Sequence, residues 1–252
     1  MSDGATVRTL ETAAALAATA AADAARIVRA AVARQGFARV MFASGDSQLG
    51  LLASLTADPD LPWSSVVGFH MDKYVGIGGD HPASFARYMQ ERIVERTPIR
   101  AFHLLDGTAP PLAECARYAA LLAAAPVDLC IMGIGENGHL AFNDPPVADF
   151  ADPVAVKVVT LDDACKRQQV GEGHFPAVES VPPTAMTVTI PALLAARRVL
   201  VVVPDARKAA PVAAALTGPV TPACPASILQ RAPHATVYLD PDSASGLRSS
   251  QS

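Results

Sequence analysis

The side chains best suited to chemistry lie together in one short segment, VDLCIMGIGENGHLAFNDPP, which covers residues 127–146. An apolar run opens it, and a turn with two glycines then leads to Asn137, His139 and Asp144. A histidine changes charge near neutral pH, and a nearby carboxylate can orient it and tune its basicity. Because α/β enzymes place such residues in turns after buried strands, the segment predicts acid–base chemistry. A structural turn with a helix cap is the simpler alternative.

A second segment could bind an anion. An apolar strand predicted over 39–44 ends in Ser44-Gly45-Asp46-Ser47, and a predicted helix follows. Small residues let backbone N–H groups approach an anion, and a helix N-terminus favours negative charge. An ordinary helix cap explains the same residues equally well. The charge of Asp46 opposes anion binding unless its side chain points away.

Two further charged residues follow predicted strands. Asp72 ends the strand predicted over 66–72, where a carboxylate is suited to acid–base work. The simpler interpretation of this residue is a turn residue or helix cap. Lys73 beside it is expected to be solvated. Lys208 stands at the start of a predicted helix, where the helix dipole does not favour a cation. That mismatch suggests an anion ligand for Lys208, with an ordinary surface lysine as the alternative.

Apolar strands alternate with helical patterns along the chain. A long helix is predicted over 8–35, ending near Gly36, and most strands are continuous apolar runs. This alternation predicts an α/β fold of modified Rossmann-like type, with a mainly parallel sheet and helices on both faces. Residues 1–252 are expected to form a single domain, with a disordered tail from about residue 241.

Composition narrows the class of protein. The chain has 252 residues, of which 51% are hydrophobic and 17% charged, and its formal net charge is −4. An acidic chain of this kind argues against nucleic acid or an anionic membrane as the main partner. The Ala-rich N-terminus carries charges that a signal peptide would lack, so a cytoplasmic location is expected. Four scattered cysteines show no zinc-ligand spacing, which predicts free thiols.

Three motifs in this order resemble the glucosamine-6-phosphate deaminase family, a relative of 6-phosphogluconolactonase. They are SGDSQ, FHMDKYVG and GIGENGHLAFNDPP, and the resemblance extends over roughly residues 8–240. The AFNDP ending is similar to the deaminase branch, whereas lactonases usually continue their histidine motif toward Leu-Phe-Pro. The lactonase branch therefore ranks second.

The resemblance implies a hydrolase-like deaminase that couples aldose–ketose isomerisation of an amino-sugar 6-phosphate to loss of ammonia. A small-molecule sugar phosphate would be the partner, with no redox cofactor and no catalytic metal, and a homo-oligomer remains open. By position, Asp72 matches the base that moves a proton between C2 and C1, and His139 matches the group that assists ring opening. Asp144 matches the carboxylate that partners this histidine. Residues 44–47 and Lys208 match the phosphate cradle.

The chain departs from the family pattern at ligand contacts. The usual Asp two residues before the histidine is Asn137, and the usual Glu partner is the shorter Asp144. The first phosphate loop has Asp46 in place of a second glycine. The family's phosphate-binding Arg has no counterpart in CKRQQVGEGHF, where His174, or Lys166 and Arg167, are the available substitutes. These changes suggest a divergent branch with a different preferred substrate.

Two alternatives to the deaminase follow from the same residues. In a sugar-lactone hydrolase, His139 would activate water or assist the leaving group. A non-catalytic sugar-phosphate sensor would bind its ligand without turnover. The sensor is the weaker alternative because no basic helix-turn-helix segment precedes the first predicted strand and because Asp72 and His139 are both present.

Overall fold

The computed structural model describes residues 4–250, which form ten strands and seven α-helices joined by turns and short 3₁₀ helices. The strands are β1 (Thr6–Thr9), β2 (Ala38–Phe42), β3 (Val66–His70), β4 (Asp72–Tyr74), β5 (Ala101–His103), β6 (Leu129–Met132), β7 (Val156–Thr160), β8 (Thr184–Val188), β9 (Arg198–Val203) and β10 (Ala235–Leu239). The helices are α1 (Ala13–Gln35), α2 (Leu49–Thr56), α3 (Phe85–Arg92), α4 (Pro111–Ala123), α5 (Asp163–Gly171), α6 (Ile190–Leu194) and α7 (Ala209–Thr217).

A seven-stranded parallel sheet forms the centre of the molecule. Its strand order is β1-β10-β9-β6-β2-β3-β5, and every neighbouring pair in it is parallel. The chain builds outward from β2 through β3 to β5, and then returns to lay β6 on the other side of β2. The order therefore reverses between β2 and β6, and open α/β sheets bind ligands at such a reversal, beyond the carboxyl ends of the strands.

The central sheet is covered on both faces. Successive side chains of a strand point to opposite faces, and β2 divides its residues accordingly. Val40 and Phe42 pack in a core cluster with α1 and α2, whereas Met41 packs in a second cluster with residues of α4 and α7. Because both faces are buried, the strands are continuously apolar, and the predicted α/β fold with a mainly parallel sheet is confirmed.

A second sheet stands beside the first and corrects the predicted boundaries of one strand. It has three antiparallel strands in the order β4-β8-β7. The expected strand over 66–72 is in fact two strands, since β3 ends at His70 and β4 begins at Asp72. Asp72 pairs with Thr187 of β8, so the chain changes sheets immediately before this carboxylate. The segment VVGFHMD gave no sign of that change.

The N-terminal helix starts later than predicted. Residues 6–9 form β1, which pairs with β10 at the edge of the sheet, and α1 begins only at Ala13. The side chain of Thr12 caps it by accepting a hydrogen bond from the N–H of Ala15. Its end was predicted correctly, because Gly36 has a φ of 82°, the left-handed conformation that closes helices.

The expected disorder from about residue 241 is wrong for the segment that follows β10. Ser243 and Ala244 are buried, and the Ser243 N–H donates to the Asp240 carboxylate at 2.8 Å. A 3₁₀ helix, Ser245–Ser250, then packs against α7. The polar composition suggested a solvated tail, but this helix closes one end of the core. Within residues 4–250, no helix is long and apolar enough to cross a membrane.

Candidate active site

A cavity opens at the reversal point of the parallel sheet. Segments that follow β2, β3, β6 and β9 line it, and α5 closes its other side. The cavity brings together Asp72, His139, Lys208 and residues 44–47. These residues come from separate segments, and they meet because parallel strands end at one edge.

His139 and Asp144 form the pair that the sequence predicted. Nδ1 of His139 lies 2.9 Å from Oδ1 of Asp144, close enough for an ion pair, although the contact lacks the alignment of a hydrogen bond. Asp144 is fully buried and His139 reaches the cavity. A proton on Nδ1, facing the carboxylate, leaves Nε2 available to act as a base or, when protonated, as an acid.

Asn137 joins the two members of this pair. Its Nδ2 donates to Oδ1 of Asp144 at 2.9 Å, and its Oδ1 accepts from the backbone N–H of His139 at 3.0 Å. The amide thus fixes the turn that carries the histidine and orients the carboxylate, although its own side chain is not among those that line the cavity. Because the Asn137 amide is neutral, Asp144 supplies the negative charge beside the imidazole among these three residues.

Asp144 is held in its ionised form despite its burial. Burial alone would raise its pKa, but contacts with His139, Asn137 and Cys165 outweigh burial and lower the pKa of Asp144. An ionised partner stabilises the protonated form of the imidazole. This carboxylate can therefore support a histidine that takes up and releases a proton.

Gly135 is required by the position of the imidazole. A Cβ added at residue 135 would lie 2.3 Å from ring atoms of His139. We expect Gly135→Ala to displace the ring and to lower kcat/KM by about 100-fold, because a shift of about 1 Å in a reacting group is enough for such a loss. Gly79→Ala is the matched control, since a Cβ there meets nothing within 4 Å. Steady-state kinetics of both variants would measure the effect, and equal activities would contradict it.

Asp72 faces the cavity from the first position of β4. Burial raises its pKa to about 7, the charge of His139 acts in the opposite direction, and the charge of Asp144 raises it further. A carboxyl group that titrates near neutral pH can both accept and return a proton at physiological pH. Perturbed carboxylates of this kind concentrate at functional sites.

Lys73 is buried, contrary to the expectation that it would be solvated. Its side chain is 1% exposed, and Nζ donates to the hydroxyl of Ser84 and, at 3.3 Å, to the carbonyl of Gly78. Successive residues of a strand point to opposite faces, so Asp72 faces the cavity while Lys73 points away from it. The lysine therefore ties the loop after β4 to the start of α3.

The other end of the cavity contains the predicted anion-binding residues. Ser44, Gly45, Asp46 and Ser47 all line it, and the short 3₁₀ helix Asp46–Gln48 leads from them into α2. Lys208 is 5% exposed and points into the same space, where burial lowers its pKa while nearby carboxylates raise it. A buried ammonium group without a directly bonded carboxylate favours an anionic ligand.

Helix α5 contributes cavity residues that the sequence reasoning missed. Gln168, Gln169 and Glu172 line the cavity beside His174, which the sequence had already offered as a substitute for the missing arginine. The signal for this helix was Asp162, whose side chain accepts from the N–H of Cys165 and caps the first turn. Helical residues three or four positions apart share one face, which is why several side chains of α5 reach the cavity.

The same segment decides among the proposed substitutes for the missing arginine. His174 lines the cavity, whereas Lys166 and Arg167 do not. Nζ of Lys166 lies 4.0 Å from Oδ1 of Asp163, and Arg167 borders a separate surface depression. Of the three residues, His174 alone is positioned to meet an anion beside Lys208.

One group of side chains has donor atoms suited to a metal ion. Within the described part of the chain, these are His139, Asp144 and Cys165, whose ligand atoms all lie within 4.8 Å of one another. Burial raises the pKa of the Cys165 thiol, and the charge of Asp144 raises it further. The thiol is therefore protonated, and we assign no metal to this group.

A family model and individual relatives place the chain in the same protein family. Residues 11–238 match the sequence model of the family described as glucosamine-6-phosphate isomerases/6-phosphogluconolactonase. Proteins named glucosamine-6-phosphate deaminase from Bacillus thuringiensis (strain Al Hakam) and Bacillus cereus (strain AH820) are each 36% identical to the chain over 204 residues. Those alignments cover 81% of this chain and 76% of each relative.

Solved structures share the fold along almost the whole chain. A monomeric glucosamine-6-phosphate deaminase superposes with a TM-score of 0.86 at 29% identity, covering 96% of this chain and 99% of that one. A 6-phosphogluconolactonase from Shewanella baltica OS155 has a TM-score of 0.78 at 20% identity, with coverages of 95% and 99%. The second match shows the fold alone.

Proposed function

Because the chain belongs to the family of glucosamine-6-phosphate isomerases and 6-phosphogluconolactonases, we propose that it converts an amino-sugar 6-phosphate into the ketose 6-phosphate and ammonia. The observation that carries this proposal is the meeting of Asp72, the His139–Asp144 pair and Lys208 in one cavity. Hydrolase chemistry has support only through the lactonases of the same family, so we favour deaminase and isomerase chemistry.

In the proposed reaction, His139 first assists opening of the sugar ring. Its imidazole takes the proton of the C1 hydroxyl and returns a proton to the ring oxygen, so that C1 becomes an aldehyde. Asp144 supports this exchange because its negative charge stabilises the imidazolium that forms on the way. The opened chain then has a carbonyl next to C2, and that carbonyl makes the C2 proton acidic.

Asp72 then moves the proton that isomerises the sugar. The ionised carboxylate removes the proton from C2 and, now protonated, delivers it to C1. The oxygen at C1 gains a proton as the amino nitrogen loses one, which leaves a hydroxyl at C1 and the nitrogen double-bonded to C2 as an imine. Water then adds at C2, which releases ammonia and forms the ketone. One carboxyl group can serve both steps because a pKa of about 7 makes gain and loss of a proton comparably easy.

Binding of the substrate phosphate is assigned to Lys208, the segment 44–47 and His174. An ammonium group and N–H donors beside a phosphate form charge-assisted hydrogen bonds, which are stronger than neutral ones. Anchoring the phosphate at one end of the cavity holds C1 and C2 beside Asp72, and such positioning supplies a large part of many rate enhancements.

The pH dependence follows from the burial of Asp72. Burial raises the pKa of this carboxyl to about 7, and it must be ionised to remove a proton, so kcat/KM should fall as the pH decreases below about 7. The expected slope is about tenfold per pH unit. The substrate phosphate itself titrates near pH 6, so the pH dependence of glucosamine 6-phosphate binding to Asp72→Asn serves as the control. A flat profile from pH 6 to 8 would contradict the assignment.

The test of the function is ammonia release by the purified protein. Glucosamine, galactosamine and mannosamine 6-phosphates would be compared, with hydrolysis of 6-phosphogluconolactone measured alongside. Ammonia from one of the three sugars supports the proposal and names the substrate. Lactone hydrolysis without ammonia would assign the chain to the other activity of the family, and binding without turnover would favour a sensor.

A further inference from the structure

The anion-binding end of the cavity contains acidic as well as basic side chains. Lys208 and His174 supply positive charge, but Glu172 lines the same space and interacts with both of them. Nε2 of His174 lies 3.5 Å from Oε2 of Glu172. Asp46 adds a second carboxylate, whose charge also acts on His174. The basic groups therefore meet a ligand with much of their charge already balanced.

Glu172 is held in place and cannot turn away into solvent. It forms the cap at the C-terminal end of α5, and its backbone N–H donates to the carbonyl of Gln168 at 2.9 Å. The Gln168 side chain also donates to Oε1 of Glu172 at 2.9 Å, while Oε2 faces His174. Both carboxylate oxygens thus have fixed partners beside the cavity.

The carboxylate is ionised at neutral pH. Burial would raise its pKa, but the contact with His174, the hydrogen bond from Gln168 and the charge of Lys208 outweigh burial and lower the pKa of Glu172. An ionised carboxylate repels a phosphate, which carries a charge between about −1.5 and −2 at pH 7. The repulsion is only partly screened in a site shielded from water.

We propose that Glu172 is a specificity-determining residue that weakens the preference of this cavity for a doubly charged phosphate. The inference rests on the proposed function, in which this end of the cavity holds the substrate's terminal group. Lys208 and His174 alone would favour a dianion, and Glu172 shifts the balance toward terminal groups with one negative charge or none. The phosphate of the substrate then contributes less to binding than the two basic residues would allow.

The test is Glu172→Gln, which removes the charge and keeps the shape. Calorimetric titration with sulfate, which is a dianion at this pH, with glucosamine 6-phosphate and with glucosamine would be carried out at about pH 6, where an ordinary histidine is largely protonated. His174 is then cationic with or without Glu172, whose carboxylate raises its pKa. Sulfate and glucosamine 6-phosphate should bind about three- to tenfold more tightly to the variant, and glucosamine should not.

Two further variants isolate the charge of this one residue. Glu172→Asp keeps the charge and should retain the phosphate affinity of the unmodified protein. Glu136→Gln removes a carboxylate that also acts on Lys208 but does not line the cavity, and it should change phosphate affinity by less than about twofold. Thermal unfolding would verify that all three variants are folded.

The outcomes separate this inference from the proposed function. Unchanged or weaker phosphate binding by Glu172→Gln overturns the inference, as does an equal gain in Glu136→Gln. If phosphate binding tightens as expected but no amino-sugar phosphate releases ammonia, the proposed reaction fails while the role of Glu172 at the anion site stands. If ammonia is released and the affinity does not change, the reverse holds.

Discussion

Replacing Asp72 by Asn should reduce the turnover of an amino-sugar 6-phosphate by about 1,000-fold or more and leave its binding nearly unchanged. General acid–base catalysis by one positioned side chain contributes about 100- to 10,000-fold, and here one group carries out both proton transfers. An amide of the same shape fills the same volume but cannot accept the C2 proton. Initial rates and calorimetric binding of inorganic phosphate would measure the two effects separately.

One control variant makes the Asp72→Asn result specific. Asp80→Asn changes an exposed carboxylate on the loop that follows β4 and should leave turnover unchanged. Turnover of Asp72→Asn within about tenfold of the unmodified protein would show that the assigned base is wrong.

The Asp72→Asn variant should also become more stable relative to the unmodified protein as the pH rises. Folding raises the pKa of this carboxyl from 3.8 to about 7, so the folded state binds the proton more tightly than the unfolded state does. The contribution of Asp72 to stability is therefore present below about pH 4 and is lost as the pH rises through about 7. The amide does not titrate, and the melting temperature of the variant relative to the unmodified protein should increase between pH 5 and 8. The opposite trend would contradict the raised pKa.

Replacing Lys208 by Ala should weaken binding of the phosphorylated substrate by about 10- to 100-fold. A hydrogen bond to a charged group contributes about 1.5–3 kcal/mol, and the substitution removes the ammonium group buried at the anion end of the cavity. We expect the loss mainly in KM, because Lys208 is assigned to the phosphate and not to C1 or C2. Binding of glucosamine, which has no phosphate, should change little.

The matched control for Lys208 is Lys166→Ala. Lys166 belongs to α5 but does not line the cavity, so its removal should leave KM unchanged. Equal affinities for phosphate in Lys208→Ala and the unmodified protein would remove Lys208 from the anion site. A loss of glucosamine binding as large as the loss of phosphate binding would instead indicate a general disturbance of the cavity.

Much of the architecture and part of the site could be predicted from the sequence. Continuous apolar runs and helical spacing identified the parallel sheet, because burial on both faces leaves no alternation to obscure the strands. The motif around His139 and Asp144 could also be identified, because its members lie close together in one turn. The hydrogen-bonded residues Asn137 and Asp144 are only seven positions apart, and His139 lies between them. The family resemblance drawn from three motifs is confirmed by the match over residues 11–238.

Other features depended on contacts between segments far apart in the chain. Residues 8–9, the second half of β1, were included in the predicted helix because the partner strand, β10, is almost the whole chain away. Asp72 was taken for the end of a parallel strand, although it begins an antiparallel one beside β8. Pairing partners of this kind are set by tertiary packing, and local propensity does not reveal them.

The sequence by itself determined which chemical groups this protein has and the order in which strands deliver them. Only the tertiary structure decided the charge states of these groups and which side chains lie next to them. Asp72 acquires a pKa of about 7, and Glu172, at the end of a helix on the far side of the cavity, lies beside Lys208. The physical reason is that residue type and spacing act locally along the chain. Desolvation and electrostatic attraction depend instead on distance in space, which the fold alone establishes.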